Sequence, residues 1–397
     1  MRVLFATSPW PTHYFMTVPT AWAFRAAGHE VIVVSQPSMA ELIARSGMAA
    51  ARVGPDIDLV AIRKRTLPFE RKAGAPPPAD GENDGADQVF DAWRAATTAN
   101  VDPLVDFAKA WRPDIVLCDP MCPGGLVAAA VLGVPGIRHL WAPDFLGSAG
   151  AEQLLPQLPG FYEPFERRGV RVEGDPALRT VDPCPPSMEP PPSDRRIHVQ
   201  FVPYNGTGVL SDRLPPRSGR PRICLTWGMS VTRIIGSAAF LLPQIISALS
   251  GLDAEIVVAV DATQRAMLGS VADNVRVHES APLHMLLPTC DVIVHQGGAG
   301  STLTAARYGV RQLAITHLPD QANVAMAFAG TGAGIHLSGE EITPADIRRA
   351  VHDLLADPGY RAGADRLRGE ILAQPSPIDV AGQLCALTAA SPATVQR

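Results

Sequence analysis

The stretch DVIVHQGGAGSTLTAARYGVRQLAITHLPDQAN, residues 291–323, decides the fold. Its first five residues are an apolar, branched run that is typical of a buried parallel strand. Gly297, Gly298 and Gly300 then let the backbone approach a ligand closely, with their amides at the start of a helix. Such a start attracts anions, because its unpaired N–H groups and its dipole both favour negative charge. Residues 311–316 predict the next parallel strand, so the stretch predicts a βαβ unit that cradles a phosphate.

The same alternation of strands and helices occurs on both sides of this stretch. Residues 2–7 and 30–35 predict two strands, joined by a proline-rich loop and a helix over about 16–27. A second series begins with a strand over 222–227. Two series predict an α/β protein with two Rossmann-like doubly wound domains that face each other across a cleft. The predicted parts are an N-terminal domain 1–207, a linker 208–220, a C-terminal domain 221–375, and a final helix 376–397 that packs back on the N-terminal domain.

Composition excludes several classes of protein. A chain of 397 residues is longer than a single hydrophobic core usually supports, which agrees with two domains. The net charge of −5 gives no attraction to nucleic acid or to an anionic membrane surface. No apolar stretch is long enough to cross a bilayer, and the N-terminus enters a strand at once instead of a signal peptide. Six scattered cysteines without CxxC pairs indicate reduced thiols and a cytoplasmic protein.

Two residues of the N-terminal half are candidates for acid–base chemistry. His13 lies in the loop predicted after the first strand, and an imidazole titrates near neutral pH. Asp119 ends another strand of the same sheet, and a carboxylate can fix the tautomer of a histidine. The alternatives are a surface histidine for His13, and a helix cap or turn residue for Asp119. Their placement on one rim of the sheet favours the catalytic pair.

The motif His295-Gln-Gly-Gly-Ala-Gly-Ser301 is the sharper signal for a ligand site. It offers backbone amides for a diphosphate, an imidazole to bond or partly neutralise it, and the Ser301 hydroxyl. It lacks the spacing of a dinucleotide fingerprint or a P-loop, and it has no acidic pair for Mg²⁺, so no metal or other cofactor is expected. The alternative is a strand–helix turn that needs small residues for packing.

Two further segments are expected to border the same ligand. The turn 226–230 ends in Ser230 and predicts a second approach to the diphosphate, with a tight βα turn as the alternative. Asp320 and Gln321 can accept and donate hydrogen bonds to several sugar hydroxyls. Their alternative role is to cap the helix that follows.

The chain resembles family-1 nucleotide-sugar glycosyltransferases of the GT-B fold, specifically the actinobacterial enzymes that glycosylate antibiotics and other natural products. The likeness covers nearly the whole chain. It is carried by MRVLF at 1–5, AWAFRAAGHEV at 21–31, RPDIV at 112–116, HLWAPD at 139–144, PYNG at 203–206, LLPTCD at 286–291 and VHQGGAGS at 294–301. Two departures stand out, because many bacterial relatives have a second histidine where this chain has Gln296, and Trp227 is bulkier than the usual small residue.

The resemblance implies a role for each candidate residue. His13 would deprotonate an acceptor hydroxyl with Asp119 as its orienting partner. The donor, a nucleoside diphosphate sugar such as a dTDP-deoxysugar, would be held by the residues Ser230, His295, Gly297, Gly298, Gly300, Ser301, Asp320 and Gln321. The acceptor would be a hydrophobic natural-product aglycone such as a polyketide. Its pocket is expected in the loops 56–100 and 142–175, and the transfer is expected to invert the anomeric centre.

Two other functions fit the same residues. A nucleotide-sugar epimerase of this fold would need no acceptor, and a non-catalytic auxiliary protein would bind the sugar nucleotide without transferring it. The candidate residues His13, Asp119 and His295 favour the transferase. The resemblance leaves open a homodimer and an activator protein as partners.

Overall fold

Two parallel β-sheets organise the chain in the computed structural model, which describes residues 1–73, 94–95, 98–144, 161–189, 193–209, 219–340 and 342–390. The chain divides into two units. The first comprises Met1–Pro183, Glu189–Gln200 and Pro375–Arg397, and the second comprises Cys184–Met188 and Phe201–Gln374. Each unit contains one of the sheets, which confirms the predicted class of two Rossmann-like α/β domains.

The sheet of the first unit has seven parallel strands among the described residues. These are β1 Arg2–Ala6, β2 Glu30–Ser35, β3 Ala49–Arg52, β4 Ile115–Cys118, β5 Gly136–His139, β6 Arg179–Asp182 and β7 Arg196–His198. Their spatial order is β3-β2-β1-β4-β5-β6-β7. The order reverses between β1 and β4, where Ala6 pairs with Cys118. In open parallel sheets ligands bind beyond the carboxyl ends of the strands at such a switch point.

The helices of the first unit connect these strands as βαβ units. In the described part they are α1 Pro11–Ala26, α2 Ala40–Arg45, α3 Leu59–Ala73, α4 Val101–Trp111, α5 Gly124–Leu132 and α6 Glu163–Glu166. Helix α4 buries Val101, Leu104, Val105 and Ala108, the spacing of one helix face. That face packs with α5 and the strands in a hydrophobic core of this unit.

Helix α1 begins earlier than its sequence predicts. It starts at Pro11 instead of near residue 16, because a proline at the first helical position has no N–H to leave unpaired. Pro19 consequently lies inside the helix, not in its first turn, and His13 lies in the first turn rather than in a loop. The predicted loop position of His13 is therefore wrong.

The sheet of the second unit has six parallel strands in the described ranges. These are β8 Arg222–Thr226, β9 Glu255–Val260, β10 Val275–Glu279, β11 Val292–His295, β12 Arg311–Thr316 and β13 Gly334–Ser338. Their order is β10-β9-β8-β11-β12-β13, so the strand order of this sheet also reverses, between β8 and β11. The segments that follow β8 and β11 therefore meet at the switch point of the second sheet.

Helices cover this second sheet as well. The described ones are α7 Met229–Ile234, α8 Leu242–Leu249, α9 Ala262–Leu268, α10 Leu283–Leu286, α11 Ala299–Arg307, α12 Pro319–Gly330, α13 Pro344–Ala356 and α14 Pro358–Ala373. One core of the unit lies between the sheet, α8 and α13, with the fully buried Trp227 among its largest side chains.

The last helix of the chain, α15, spans Pro377–Ala390 and belongs to the first unit. It packs against α1, and the Cys385 Sγ lies 3.3 Å from the His29 Nε2 just after that helix. The proline-rich segment 74–85 and most of the predicted linker 208–220 lie outside the described residues.

Candidate active site

The first candidate site lies at the switch point of the first sheet, where β1 leads into α1 and β4 leads into α5. His13 occupies the first turn of α1 and is 12% exposed. Asp119 directly follows β4 and is completely buried. The sheet thus brings the two predicted residues together, although 106 positions separate them in the sequence (119 minus 13).

The Asp119 carboxylate is held by the backbone around it. Its Oδ2 accepts hydrogen bonds from the Ser8 backbone N at 2.6 Å and from the Thr7 Oγ1 at 3.1 Å. Its Oδ1 accepts from the Met121 backbone N at 2.7 Å. The bond to Met121 is the turn contact that the sequence allowed, whereas the N-cap of α5 is Pro123 and not Asp119. Asp119 therefore ties the end of β1 to the turn after β4.

Ser8 is a nearer polar neighbour of the His13 ring than Asp119 is. The Ser8 Oγ lies 3.3 Å from the His13 Nδ1, whereas the Asp119 Oδ1 lies 4.0 Å from the same nitrogen. A separation of 4.0 Å is too long for a hydrogen bond, so Asp119 acts on the imidazole through its charge. This arrangement corrects the expectation of a direct carboxylate–imidazole bond.

The environment keeps His13 neutral at ordinary pH. Burial lowers the pKa of His13, the negative charge of Asp119 opposes the shift and the positive charge of Arg63 adds to it, and the resulting pKa is about 4. The ring also stacks on Trp141, with centroids 3.9 Å apart and planes at 9°. Because Nδ1 is turned toward Ser8 and Asp119, Nε2 is the ring nitrogen left for a substrate proton.

The second candidate site lies at the switch point of the second sheet, where β11 leads into α11. The helix begins at Ala299, directly after the predicted glycine turn, and Gly300 and Ser301 lie in its first turn. Gly297 has a φ of +87°, and a Cβ atom added to it would lie 2.6 Å from the Thr316 Cγ2. Glycine is therefore required at 297 both by the backbone conformation and by the close approach of β12.

His295 is used differently from its predicted role. It is completely buried, and both of its ring nitrogens are engaged inside the protein. The Gly297 backbone N donates to Nδ1 at 3.1 Å, so Nε2 carries the proton and donates to the Gln312 Oε1 at 3.1 Å. Burial lowers the pKa of His295 to about 4, against the opposing effect of the bond to Gln312. His295 thus fixes the Gly297 turn, and a direct bond to a diphosphate requires that the ring give up one of these two partners.

The segment after β8 contains the predicted site residue Ser230 and the bulky Trp227. Ser230 is half-buried in the first turn of α7, whose N-cap is Gly228, so the expected turn is the start of a helix. Trp227 is 1% exposed and its Nε1 donates to the Ala239 carbonyl at 2.7 Å. The indole that distinguishes this chain from its family therefore belongs to the hydrophobic core of the unit.

Asp320 and Gln321 lie in the first turn of α12, after β12. The N-cap of this helix is Leu318 and no side chain caps it, so neither residue has the alternative capping role. Asp320 is half-buried. Gln321 is 4% exposed. Its backbone carbonyl oxygen lies next to the Gly297 turn, 3.2 Å from the position of a Cβ atom added to that glycine. Gln321 therefore lies beside the Gly297 turn, and its contact with a donor sugar stays a prediction.

Three polar residues at these two places were not given a role by the sequence patterns. Ser8 lies in a proline-rich segment whose pattern predicts only a loop. Asn205 donates to the Thr304 Oγ1 at 3.1 Å and accepts from the His284 backbone N at 3.3 Å, which ties residues 201–209 to α10 and α11. Gln296 was noted only as a departure from the family. The family-like PYNG segment at 203–206 is the sequence signal that indicates a role for Asn205.

Comparison with known proteins agrees with this geometry. The model of the C-terminal domain of the erythromycin biosynthesis protein CIII-like family matches residues 243–387, and its N-terminal counterpart matches residues 22–228. The 10-deoxymethynolide desosaminyltransferase of Streptomyces venezuelae is 36% identical over 98% of this chain and 97% of its own length.

Solved structures give the same result. The glycosyltransferase VinC in complex with dTDP is 30% identical, with a TM-score of 0.79 over 98% of this chain and 100% of its own. The spinosyn rhamnosyltransferase SpnG complexed with spinosyn aglycone is 27% identical, with a TM-score of 0.80 over 97% of this chain and 100% of its own.

The two parallel-sheet domains and these similarities define a nucleotide-sugar-dependent glycosyltransferase of the GT-B fold, which is a hexosyltransferase. The chain belongs to the erythromycin biosynthesis protein CIII-like family of actinobacterial natural-product glycosyltransferases. In the described part of the chain, every helix is too short or too polar to cross a membrane.

Proposed function

We propose that this chain is an inverting glycosyltransferase that moves a deoxysugar from a dTDP-sugar to a hydrophobic polyketide aglycone, with His13 as the general base. The single observation that carries the proposal is the neutral, largely buried imidazole of His13 beside the Asp119 carboxylate at a switch point of the sheet. The dTDP complex of VinC and the aglycone complex of SpnG support the choice of donor and acceptor.

The acceptor half of the reaction begins with a proton transfer. The His13 Nε2 takes the proton of the acceptor hydroxyl as its oxygen attacks the anomeric carbon, on the face opposite the diphosphate. Burial disfavours the imidazolium that forms, and the Asp119 charge 4.0 Å away offsets part of this cost. A positioned general base of this kind accelerates a reaction by about 10²- to 10⁴-fold.

The donor half stabilises the leaving diphosphate. The amides at the start of α11 and the Ser301 hydroxyl supply hydrogen-bond donors and a positive helix end for the charge that develops. Asp320 and Gln321 hold the sugar by its hydroxyl groups. His295 acts indirectly, because it fixes the Gly297 turn that shapes the cradle. The motif has no acidic pair for Mg²⁺, so we propose that transfer continues in the presence of a chelator.

Mass spectrometry of the chain with a panel of dTDP-deoxysugars and polyketide aglycones tests the function. We expect a glycosylated product with inverted anomeric configuration, and loss of about 10²- to 10⁴-fold in kcat for His13→Ala. Binding of thymidine diphosphate to this variant should be unchanged, because His13 belongs to the other unit. Full turnover by His13→Ala would exclude the base assignment. Consumption of donor to an epimer without aglycone would show the epimerase instead.

A further inference from the structure

The carboxamide of Gln296 lies between two glycine turns of the second unit. Gln296 directly follows β11 and is 5% exposed. A Cβ atom added to Gly228 would lie 2.1 Å from the Gln296 Nε2, and one added to Gly298 would lie 2.7 Å from the same nitrogen. The side chain therefore fills the space between the start of α7 and the start of α11.

This side chain explains why both turns contain glycine. Gly228 has a φ of −55° and Gly298 a φ of −67°, which any amino acid adopts without strain. The backbone conformation consequently does not select glycine at either position. Contact with Gln296 does, because any side chain there would displace the carboxamide.

The carboxamide is also incompletely satisfied. The Gln296 Oε1 is buried and has no hydrogen-bond partner within the described residues. A buried carbonyl oxygen without a donor is unfavourable, and an apolar side chain of the same shape would fill this space without that cost. A residue that served only to separate the two turns would therefore not be a glutamine. The missing partner points to a ligand.

We propose that Gln296 binds the nucleoside diphosphate sugar directly and thereby determines donor affinity. This inference rests on the proposed function. Its Nε2 donates to a phosphate oxygen at the N-terminus of α11, where the helix attracts an anion. Its Oε1 accepts from a hydroxyl group of the same ligand, because an ionised diphosphate offers no hydrogen to a carbonyl oxygen. The carboxamide thus recognises a ligand that carries both a phosphate group and a hydroxyl group.

Calorimetric titration of the full chain with thymidine diphosphate tests this assignment. Gln296→Met keeps the shape of the side chain and removes both polar atoms. We expect its Kd for thymidine diphosphate to rise about 10-fold or more, the effect of losing a hydrogen bond to a charged group. Gln296→Glu, which adds a negative charge, should weaken binding further. Gln244→Met, on α8 and away from both turns, is the matched control with an unchanged Kd.

Urea unfolding of the same variants separates binding from packing. Removal of an unpaired buried carbonyl should leave the unfolding free energy of Gln296→Met unchanged or higher, so weaker binding with full stability supports the proposal. Wild-type affinity in Gln296→Met and Gln296→Glu would overturn it, and so would weaker binding that appears only together with lost stability. If the wild-type chain itself failed to bind thymidine diphosphate, the donor assignment would fail before that of Gln296.

Discussion

At the scale of single residues, the two histidines of the candidate sites differ in how many ring nitrogens they keep available. His13 turns Nδ1 toward Ser8 and leaves Nε2 for a substrate. His295 bonds through both nitrogens to its own unit. Both have a pKa near 4 because burial disfavours the imidazolium. The pKa therefore does not distinguish a base from a positioning residue, and the hydrogen-bond partners do.

The pH profile should report the shifted pKa of His13. With a pKa of about 4, the base is neutral through the range where an ordinary histidine of pKa 6.5 is protonated. The acid limb of kcat/KM is therefore expected to fall only as the pH drops toward 4. Steady-state rates across the pH range measure this directly. An acid limb centred near the ordinary histidine value would mean that another group limits the rate.

Ser8→Ala should lower turnover without removing the base. The variant takes away the hydroxyl 3.3 Å from the His13 Nδ1 and keeps the backbone N–H that Asp119 accepts from. We expect a loss of about 5- to 10-fold in kcat, the worth of one neutral hydrogen bond, with KM for the donor unchanged.

The matched control for this variant is Ser35→Ala. Ser35 is also buried, and its Oγ donates to the Thr7 carbonyl at 2.8 Å without contact to the imidazole. Equal losses of kcat in both variants would show that Ser8 acts through the stability of the sheet edge alone. Asp119→Asn is a less clean test, because its new NH₂ group would face one of the N–H donors that the carboxylate now satisfies.

At the scale of elements, the glycines of the cradle serve two distinct physical needs. Gly297 supplies a left-handed backbone conformation next to β12, whereas Gly228 and Gly298 make room for a side chain. These needs predict different outcomes for the same substitution to alanine.

Gly297→Ala is expected to lose more stability than Gly28→Ala. Both positions have a φ of +87°, but a Cβ on Gly28 meets nothing within 4 Å, whereas one on Gly297 lies 2.6 Å from the Thr316 Cγ2. The strain alone should cost about 1–2 kcal/mol at Gly28, and the added overlap should raise the loss at Gly297 to about 2–4 kcal/mol. Urea unfolding compares the two, and equal losses would contradict the close approach of β12.

Elements with a strong local signal were predicted from the sequence with nearly the right bounds. Residues 311–316 form β12 as expected, and residues 30–35 form β2, because each contains a short apolar run, LAI at 313–315 and VIVV at 31–34, between breakers. The strand Ala49–Arg52 was missed, because three alanines and an arginine carry no strand pattern. Helix α9 was missed too, although the capping box of Asp261 and Gln264 marks its start.

At the scale of the whole molecule, buried histidines couple stability to pH. Burial lowers the pKa of His139 and His295 to about 4, below the 6.5 of the unfolded chain. Between these values the unfolded chain binds more protons than the folded one, so stability falls as the pH drops from 6.5 toward 4. Each residue contributes up to about 3 kcal/mol of this loss.

Urea unfolding at pH values above and below 6.5 measures the effect, with His139→Gln as the test variant. His139 bonds to Thr20 and the Leu140 carbonyl, away from the cradle. The variant should lose stability near neutral pH and show a flatter dependence on acid than the wild-type chain. An unchanged slope would place the acid sensitivity in other groups.

The sites themselves were only partly predictable, because their contacts join distant parts of the chain. Alternation of strands and helices was enough to place His13 and Asp119 on one rim. Nothing local to His295 shows that Gln312, 17 residues away, occupies its Nε2. Likewise, the reason for glycine at 228 is a side chain at 296, just after another strand. Such pairings depend on how the sheet is assembled.

The path of the chain has a consequence for exchanging parts between related transferases. Residues 375–397 return to the first unit, where α15 packs on α1. A chimera with a single crossover after residue 200 would combine the first part of one parent's unit with the last helix of the other parent. Two crossovers, near residues 200 and 375, are needed to transplant the His13 half as an intact body. The first unit of this enzyme is thus encoded by both ends of its gene.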